Sequence, residues 1–239
     1  MELIPDAPDA LLDDGSIEVV GRVAWSSNAA LLVTVHADGR ETLAVYKPQR
    51  GERPLWDFPE GSLCRRETAA YTLSEALGWG LVPRTILRDG PYGIGSVQRF
   101  VDHDPEEHYF TLLEDHLDAF FRFAIFDVLA NNTDRKGGHC LRERSTNRIF
   151  GIDHGLTFHV APKLRTVIWD FAGEQVPDEL LADVARVRAE MDGALGELFG
   201  GLLYPMEVNA LIDRIDELLA DPRLPEPDEG YHSVPWPMI

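Results

Sequence analysis

The sequence predicts an α+β protein of two lobes, an antiparallel sheet with one helix followed by a mostly helical part. Three observations carry this. Short alternating apolar runs separated by turn signals fill the first part of the chain, segments with apolar residues at helical spacing dominate after Phe110, and the change from one to the other falls near Val101–Pro105. The division is then residues 1–101 for the N-terminal lobe, 102–220 for the C-terminal lobe, and 221–239 for a Pro-rich tail.

Taken in order, Ile17–Val20, Ala29–Val35 and Glu41–Tyr46 read as β-strands, the last two joined by the turn signal HADGR at His36–Arg40. A Pro/Gly-rich loop, KPQRGERPLWDFPEG, leads into a helix over Ser62–Leu77 that Gly78 terminates. Gly93–Val101 reads as a further strand, and Phe110–Ala130, dense in Phe, as a buried helix. Two amphipathic helices follow. Asp178–Phe199 carries Leu181, Val184, Val187, Met191, Leu195 and Leu198 on one face, and Met206–Leu219 is the second. The tail DPRLPEPDEGYHSVPWPMI is expected to be irregular.

Composition excludes several function classes. A chain of 239 residues that is 44% hydrophobic can bury a sizeable core, and no apolar run reaches the roughly 20 residues a membrane span requires. The start, MELIPDAPDALLDDGS, is acidic where a signal peptide would be basic, so a cytoplasmic address is expected. Cys64 and Cys140 form no CxxC pair and are expected to be reduced thiols. The formal charge of -19 argues against nucleic acid or an anionic membrane as a stable partner. One stretch departs from this: Arg135, Lys136, Arg142, Arg144 and Arg148 accompany a single acid, Glu143, and read either as a solvated hairpin or as a positive rim for an anion.

A site between two such lobes would draw on both, and the layout suggests a nucleotide cleft. Phosphoryl transfer needs donors over the phosphates, a lysine on them, carboxylates for a metal ion and an aspartate to orient the acceptor hydroxyl. Candidates exist for each. Gly21, Ser26, Ser27 and Asn28 in the turn GRVAWSSNAA could cap phosphates, and Lys47, one of three lysines, ends the third strand in AVYKP. Glu67 in the following helix is placed to pair with it, and Asp134 and Asp153 flank the basic stretch.

The series AVYKP, RRETAAYTLSEALGWGLVP, GSVQRFV, NNTDRKGGHCL and GIDHGLTF resembles the phosphatidylinositol 3/4-kinase superfamily, nearest its type II 4-kinase branch, as in a compact actinobacterial kinase-like group. It is more loosely similar to HipA-like protein kinases. The resemblance implies a two-lobed protein-kinase-like fold in which Lys47 contacts the ATP phosphates and Glu67 holds it. It further implies that Gln98, Arg99, Phe100 and Val101 form the hinge beside the adenine, that Asp134 is the catalytic-loop aspartate, and that Asp153 binds the metal, Mg²⁺ or Mn²⁺. The segments HCLRE and RIFGI between the two aspartates read as a short hairpin around Ser145–Asn147 that would turn both carboxylates toward one nucleotide.

Two positions depart from the family pattern. His139 stands where the catalytic loop usually supplies an asparagine as second metal ligand, and His154 where an asparagine or phenylalanine follows the metal aspartate. A histidine ligand must be neutral, so with an ordinary pKa of about 6.5, metal binding through His139 is expected to weaken below that region. Imidazole also favours Mn²⁺ over Mg²⁺. The larger membrane-engaging additions of lipid kinases are missing, which points the expected activity, an ATP- and divalent-metal-dependent phosphotransfer, to a hydroxyl of a protein or small molecule. The alternative is a pseudokinase serving as a nucleotide-binding interaction module. A zinc set of His139, Cys140, His154 and His159 lacks the usual paired spacing, and no GxSxG motif supports a hydrolase.

Overall fold

The computed structural model describes residues 7–23, 29–228, 230 and 232–239. Five antiparallel strands form one sheet in the order β1-β2-β3-β5-β4: β1 (Ser16–Arg22), β2 (Leu31–Ala37), β3 (Arg40–Pro48), β4 (Thr85–Gly90) and β5 (Gly93–Arg99). Alternation in β2 sends Leu31, Val33 and Val35 to one face, where they pack with Ala44, Tyr46 and Val97 and with Leu11 and Leu12 of helix α1 (Ala7–Asp14). The β2–β3 turn is a two-residue one, with Asp38 at φ 52° and Gly39 at φ 73°, the left-handed pair that a tight hairpin requires.

Strand β4 was not legible because Arg88 and Asp89 interrupt its apolar run. Its register with β5 is set instead by the turn at Gly90–Gly93 and by the Tyr46 ring lying against glycine. A Cβ at Gly95 would sit 2.6 Å from that ring, and one at Gly90 2.8 Å, so both positions must lack one.

Helix α2 (Leu63–Leu77) starts and stops as its sequence indicates. The Glu52 carboxylate accepts the N–H groups of Leu63 (3.1 Å) and Cys64 (2.8 Å), placing a negative charge on orphan donors at the positive end of the helix. Gly78 closes the other end at φ 74°. The buried face of α2 joins Ala69, Ala70, Leu73 and Leu77 to the core of the later helices. Lys47 of the sheet and Glu67 of α2 therefore belong to opposite sides of a junction between two cores.

Two expected long helices are each broken in two. Phe110–Ala130 divides into α3 (Tyr109–Leu112), a short 3-10 turn, and α4 (Leu117–Ala130), with His116 leaving helical geometry at φ -136°, ψ 36°. The bend lets Tyr109 and Phe120 meet edge to face at 4.9 Å, both fully buried. Asp178–Phe199 divides at Gly193 into α5 (Asp178–Glu190) and α6 (Ala194–Leu202). A Cβ at Gly196 would lie 2.1 Å from the Met191 carbonyl oxygen, so glycine permits the tight passage from one helix to the next. Leu198 consequently turns outward, 59% exposed, and Leu180 rather than Leu181 is the deeply buried residue at the start of the face. Helix α7 (Pro205–Ala220) matches its expected span.

Strands β6 (Cys140–Arg142) and β7 (Ile149–Gly151) form the expected hairpin, with Asn147 at φ 59° in its turn. The basic stretch spends its charge internally. Arg142 pairs with Glu107, Arg144 with Asp102 and Asp104, and Arg148 donates to the Gly80 carbonyl at 3.0 Å, so these residues pin the linker and hairpin together. Among its described residues the tail has no helix or strand beyond a bridge of Arg223 to Gln175, yet it docks closely: Leu224 and Ser233 are buried, and Val176 N–H donates to Pro222 O at 2.8 Å.

Candidate active site

Strand alternation places Tyr46 in the sheet core and Lys47 on the opposite face, toward α2. The Lys47 ammonium donates to Glu67 Oε1 and, at 2.9 Å, to Asp153 Oδ1. Glu67 is 3% exposed, and its second oxygen accepts the His154 N–H at 3.0 Å. Burial works against the Lys47 cation, but Asp153 and Glu67 outweigh it and hold its pKa above the ordinary lysine value. Lys47 in turn keeps Asp153 well below the usual carboxylate range, whereas burial pushes Glu67 up. All three lysines of the chain face acids here: Lys136 Nζ lies 3.4 Å from Asp134 Oδ2, and Lys163 Nζ 2.9 Å from Asp57 Oδ2.

Helix α4 ends at Asn131, whose φ of 46° turns the chain into the loop bearing Asp134. That loop is held by a buried ion pair. Arg135 grips Asp127 through Nε (3.0 Å) and Nη2 (2.9 Å), both residues having no exposure, while Asn132 and Thr166 also donate to Asp127. Asn132 Oδ1 accepts the Asp134 N–H at 3.1 Å, and Arg135 Nη2 donates to His154 Nε2 at 2.7 Å. The loops carrying the two aspartates are thus tied through one guanidinium. Burial raises the Asp134 pKa, and the nearby Asp153 adds to it, making this carboxylate a better proton acceptor than an exposed one. Sequence reasoning missed this network, although an acid in the Phe-rich FRFAIFDVLA was an available signal.

Asp153 sits at φ 60°, with its side chain 46% exposed to the cleft, and its Oδ2 lies 3.4 Å from His139 Nε2. The Lys136 N–H points at His139 Nδ1 (3.4 Å), which assigns the ring proton to Nε2, facing Asp153. His139 in this state faces Asp153 as a donor. Burial lowers its pKa to about 4, so the ring stays neutral well below the ordinary imidazole range. Unfolded, the imidazole takes up a proton near 6.5; folded, it does so only near 4. The stability it contributes is therefore present above about 6.5 and is lost as pH falls through about 4. The melting temperature of wild type is expected to fall more steeply across this window than that of His139→Asn, and parallel curves would refute a buried neutral His139.

Among the described residues no group of three or more His, Cys, Asp or Glu side chains is placed to hold a metal by itself, which disposes of the zinc set. A single exposed carboxylate on Asp153 suits Mg²⁺ or Mn²⁺, which take their remaining ligands from phosphate and water. Both cysteines are free, with burial pushing their thiols up to about 12. Of the expected hinge, Gln98 and Arg99 belong to β5, and the N–H groups of Arg99 and Phe100 are committed to Arg84 O (2.8 Å) and Leu43 O (3.0 Å). Val101 lies beyond the strand, on an apolar floor with Leu141 and Phe150. Ser26, Ser27 and Asn28 lie outside the described residues, and Gly21 sits at an irregularity of β1. Lys47, Glu67, Asp134 and Asp153 line one cleft together with Glu52, Cys64 and Gly155.

A sheet and a helical part meeting over a lysine–glutamate pair make this a protein-kinase-like fold. It is similar to the Helicobacter pylori proinflammatory kinase CtkA, with TM-score 0.51 and 14% identity over 85% of this chain and 91% of that one. It is also similar to hydra Fam20 with sugar, with TM-score 0.51 and 12% identity over 88% and 86% of the two chains. At such identities the likeness is one of fold. The sequence narrows it: residues 63–198 match the model of the phosphatidylinositol 3- and 4-kinase family, and the chain belongs to that family. It is 40% identical to Protein Rv2133c of Mycobacterium tuberculosis over 97% of this chain and 95% of that one.

Proposed function

We propose that this chain is an ATP- and divalent-metal-dependent phosphotransferase acting on a hydroxyl of a protein or small molecule in the cytoplasm. The observation that carries this is the convergence of Lys47, Glu67 and Asp153, joined by direct hydrogen bonds, with Asp134 lining the same cleft. Lys47, held by Glu67, takes the ATP phosphate oxygens once Asp153 releases it. Mg²⁺ or Mn²⁺ on Asp153 would supply charge neutralisation for the triphosphate. Asp134 aligns the acceptor hydroxyl and takes its proton as the oxygen bonds to the γ-phosphorus, the bond to the β-phosphate oxygen breaks, and ADP leaves. A nucleotide-binding module without turnover is the second reading, favoured by His139, which faces Asp153 from the position where the family's catalytic loop usually supplies a metal-binding asparagine.

Melting with ATP and either metal separates binding from its absence. At about 100 times its Kd, Mg·ATP is expected to stabilise by about 2.7 kcal/mol and raise Tm by roughly 5–11 °C. No shift in either metal would refute the nucleotide site, and a shift without turnover would establish the module. Stable membrane association is not part of the proposal, because attraction to an anionic surface of about 1 kcal/mol per basic residue needs several clustered and unpaired. No described helix is long and apolar enough to cross a membrane. The protein is expected to stay in the supernatant when sedimented with phosphoinositide vesicles at physiological salt; cosedimentation would revive a lipid acceptor.

A further inference from the structure

We propose that the acceptor is an extended segment of a protein, received in the groove that residues 232–239 of the chain fill in this structure. The inference rests on the phosphotransferase reading and names its substrate class. Four donors line the groove: Arg165 Nε to His232 O (2.9 Å), Thr166 N and Trp169 Nε1 to Ser233 O (both 3.0 Å), and Gly137 N to Met238 O (2.7 Å). Every acceptor is a main-chain carbonyl, so the groove recognises an extended backbone and tolerates many side chains, as in strand addition. The occupant alternates accordingly, with Ser233 and Pro235 buried and Val234 and Trp236 turned outward.

The walls are the machinery itself. Arg135 N donates to Arg165 O and Val167 N to Arg135 O, both at 3.0 Å, so the segment carrying Thr166 is laced to the residue following Asp134. At the other end Gly137 keeps the passage open, since a Cβ there would lie 3.1 Å from the Phe110 ring and 3.3 Å from Met238 O. A hydroxyl carried on a segment in this groove passes beside the Asp134 loop. The resident segment has nothing to offer it: Ser233 bears the one side-chain hydroxyl of residues 232–239, and donates it to Asp228 O at 3.2 Å. The resident segment is a non-reacting stand-in that an acceptor must displace.

The test uses the full chain with Ser233→Gly, Pro235→Gly and Met238→Gly combined, and Trp236→Ala, whose side chain is 88% exposed, as the control. If the combined variant loses its cooperative melt, Pro235→Gly alone replaces it. Amide exchange at Gly137 and Thr166 is expected to quicken by about tenfold or more in the loosened variant and to stay unchanged in the control. A synthetic peptide HSVPWPMI is expected to restore protection, and transfer from Mg·ATP to casein is expected to rise. Unchanged protection, or no restoration by the peptide, overturns the groove. Transfer to glycerol or inositol without transfer to casein overturns the acceptor class. Loss of Mg·ATP binding in wild type and control alike overturns the phosphotransferase reading and the acceptor role with it, while peptide-restored protection would still establish the groove.

Discussion

On the phosphotransferase reading, Lys47→Met and Asp153→Ala are each expected to lower phosphate transfer from ATP by about 10²–10³-fold or more, the loss that follows when one preorganised charge leaves a reacting site. The two variants differ in stability. Without Lys47, Glu67 keeps its buried position with no cation beside it and with Asp153 nearby. Its raised pKa then climbs further, so the variant is expected to melt lower at neutral pH and to recover as pH falls and Glu67 takes a proton. Adding Glu67→Gln to Lys47→Met is expected to restore Tm without restoring turnover. Asp153→Ala leaves the Lys47–Glu67 pair in place and is expected to melt close to wild type. Wild-type turnover in either variant would mean that the phosphate and metal positions are misassigned.

Arg135→Ala or Asp127→Ala alone is expected to destabilise the protein by about 3–5 kcal/mol, because each leaves an uncompensated charge in the core. For a chain of this size that is a fall in Tm of roughly 6–20 °C. The pair has no exposed surface and holds Asn132, Thr166 and His154 as well. Replacing both partners by apolar residues, Asp127→Leu with Arg135→Met, is expected to cost less than either single change. Turnover should nonetheless remain low in the double variant, because the guanidinium that ties the loop of Asp134 to His154 beside Asp153 is then gone. Thermal and urea melts of the three proteins check the order, and single variants within about 1 kcal/mol of wild type would contradict it.

What could be read in advance depended on the range of the interactions involved. Alternation of Leu31, Val33 and Val35, the Asp38–Gly39 turn and the Gly78 stop are local, so strands β2 and β3 and helix α2 were legible within a residue or two. The order of motifs likewise identified Lys47, Glu67, Asp134 and Asp153 as one constellation. Only the tertiary structure decided how that constellation is held. Lys47 and Asp153 are 106 residues apart, and Asp127 and Thr166 are 39 apart; no periodicity records such a pairing. The breaks at His116 and Gly193 follow from where neighbouring rings and carbonyls lie, and the docked tail from donors on loops far along the chain. His139 shows the limit most clearly, since residue type alone implied a pKa near 6.5, while burial against the Asp153 loop sets it near 4. Desolvation belongs to the packed surroundings of a group, and those are assembled by folding.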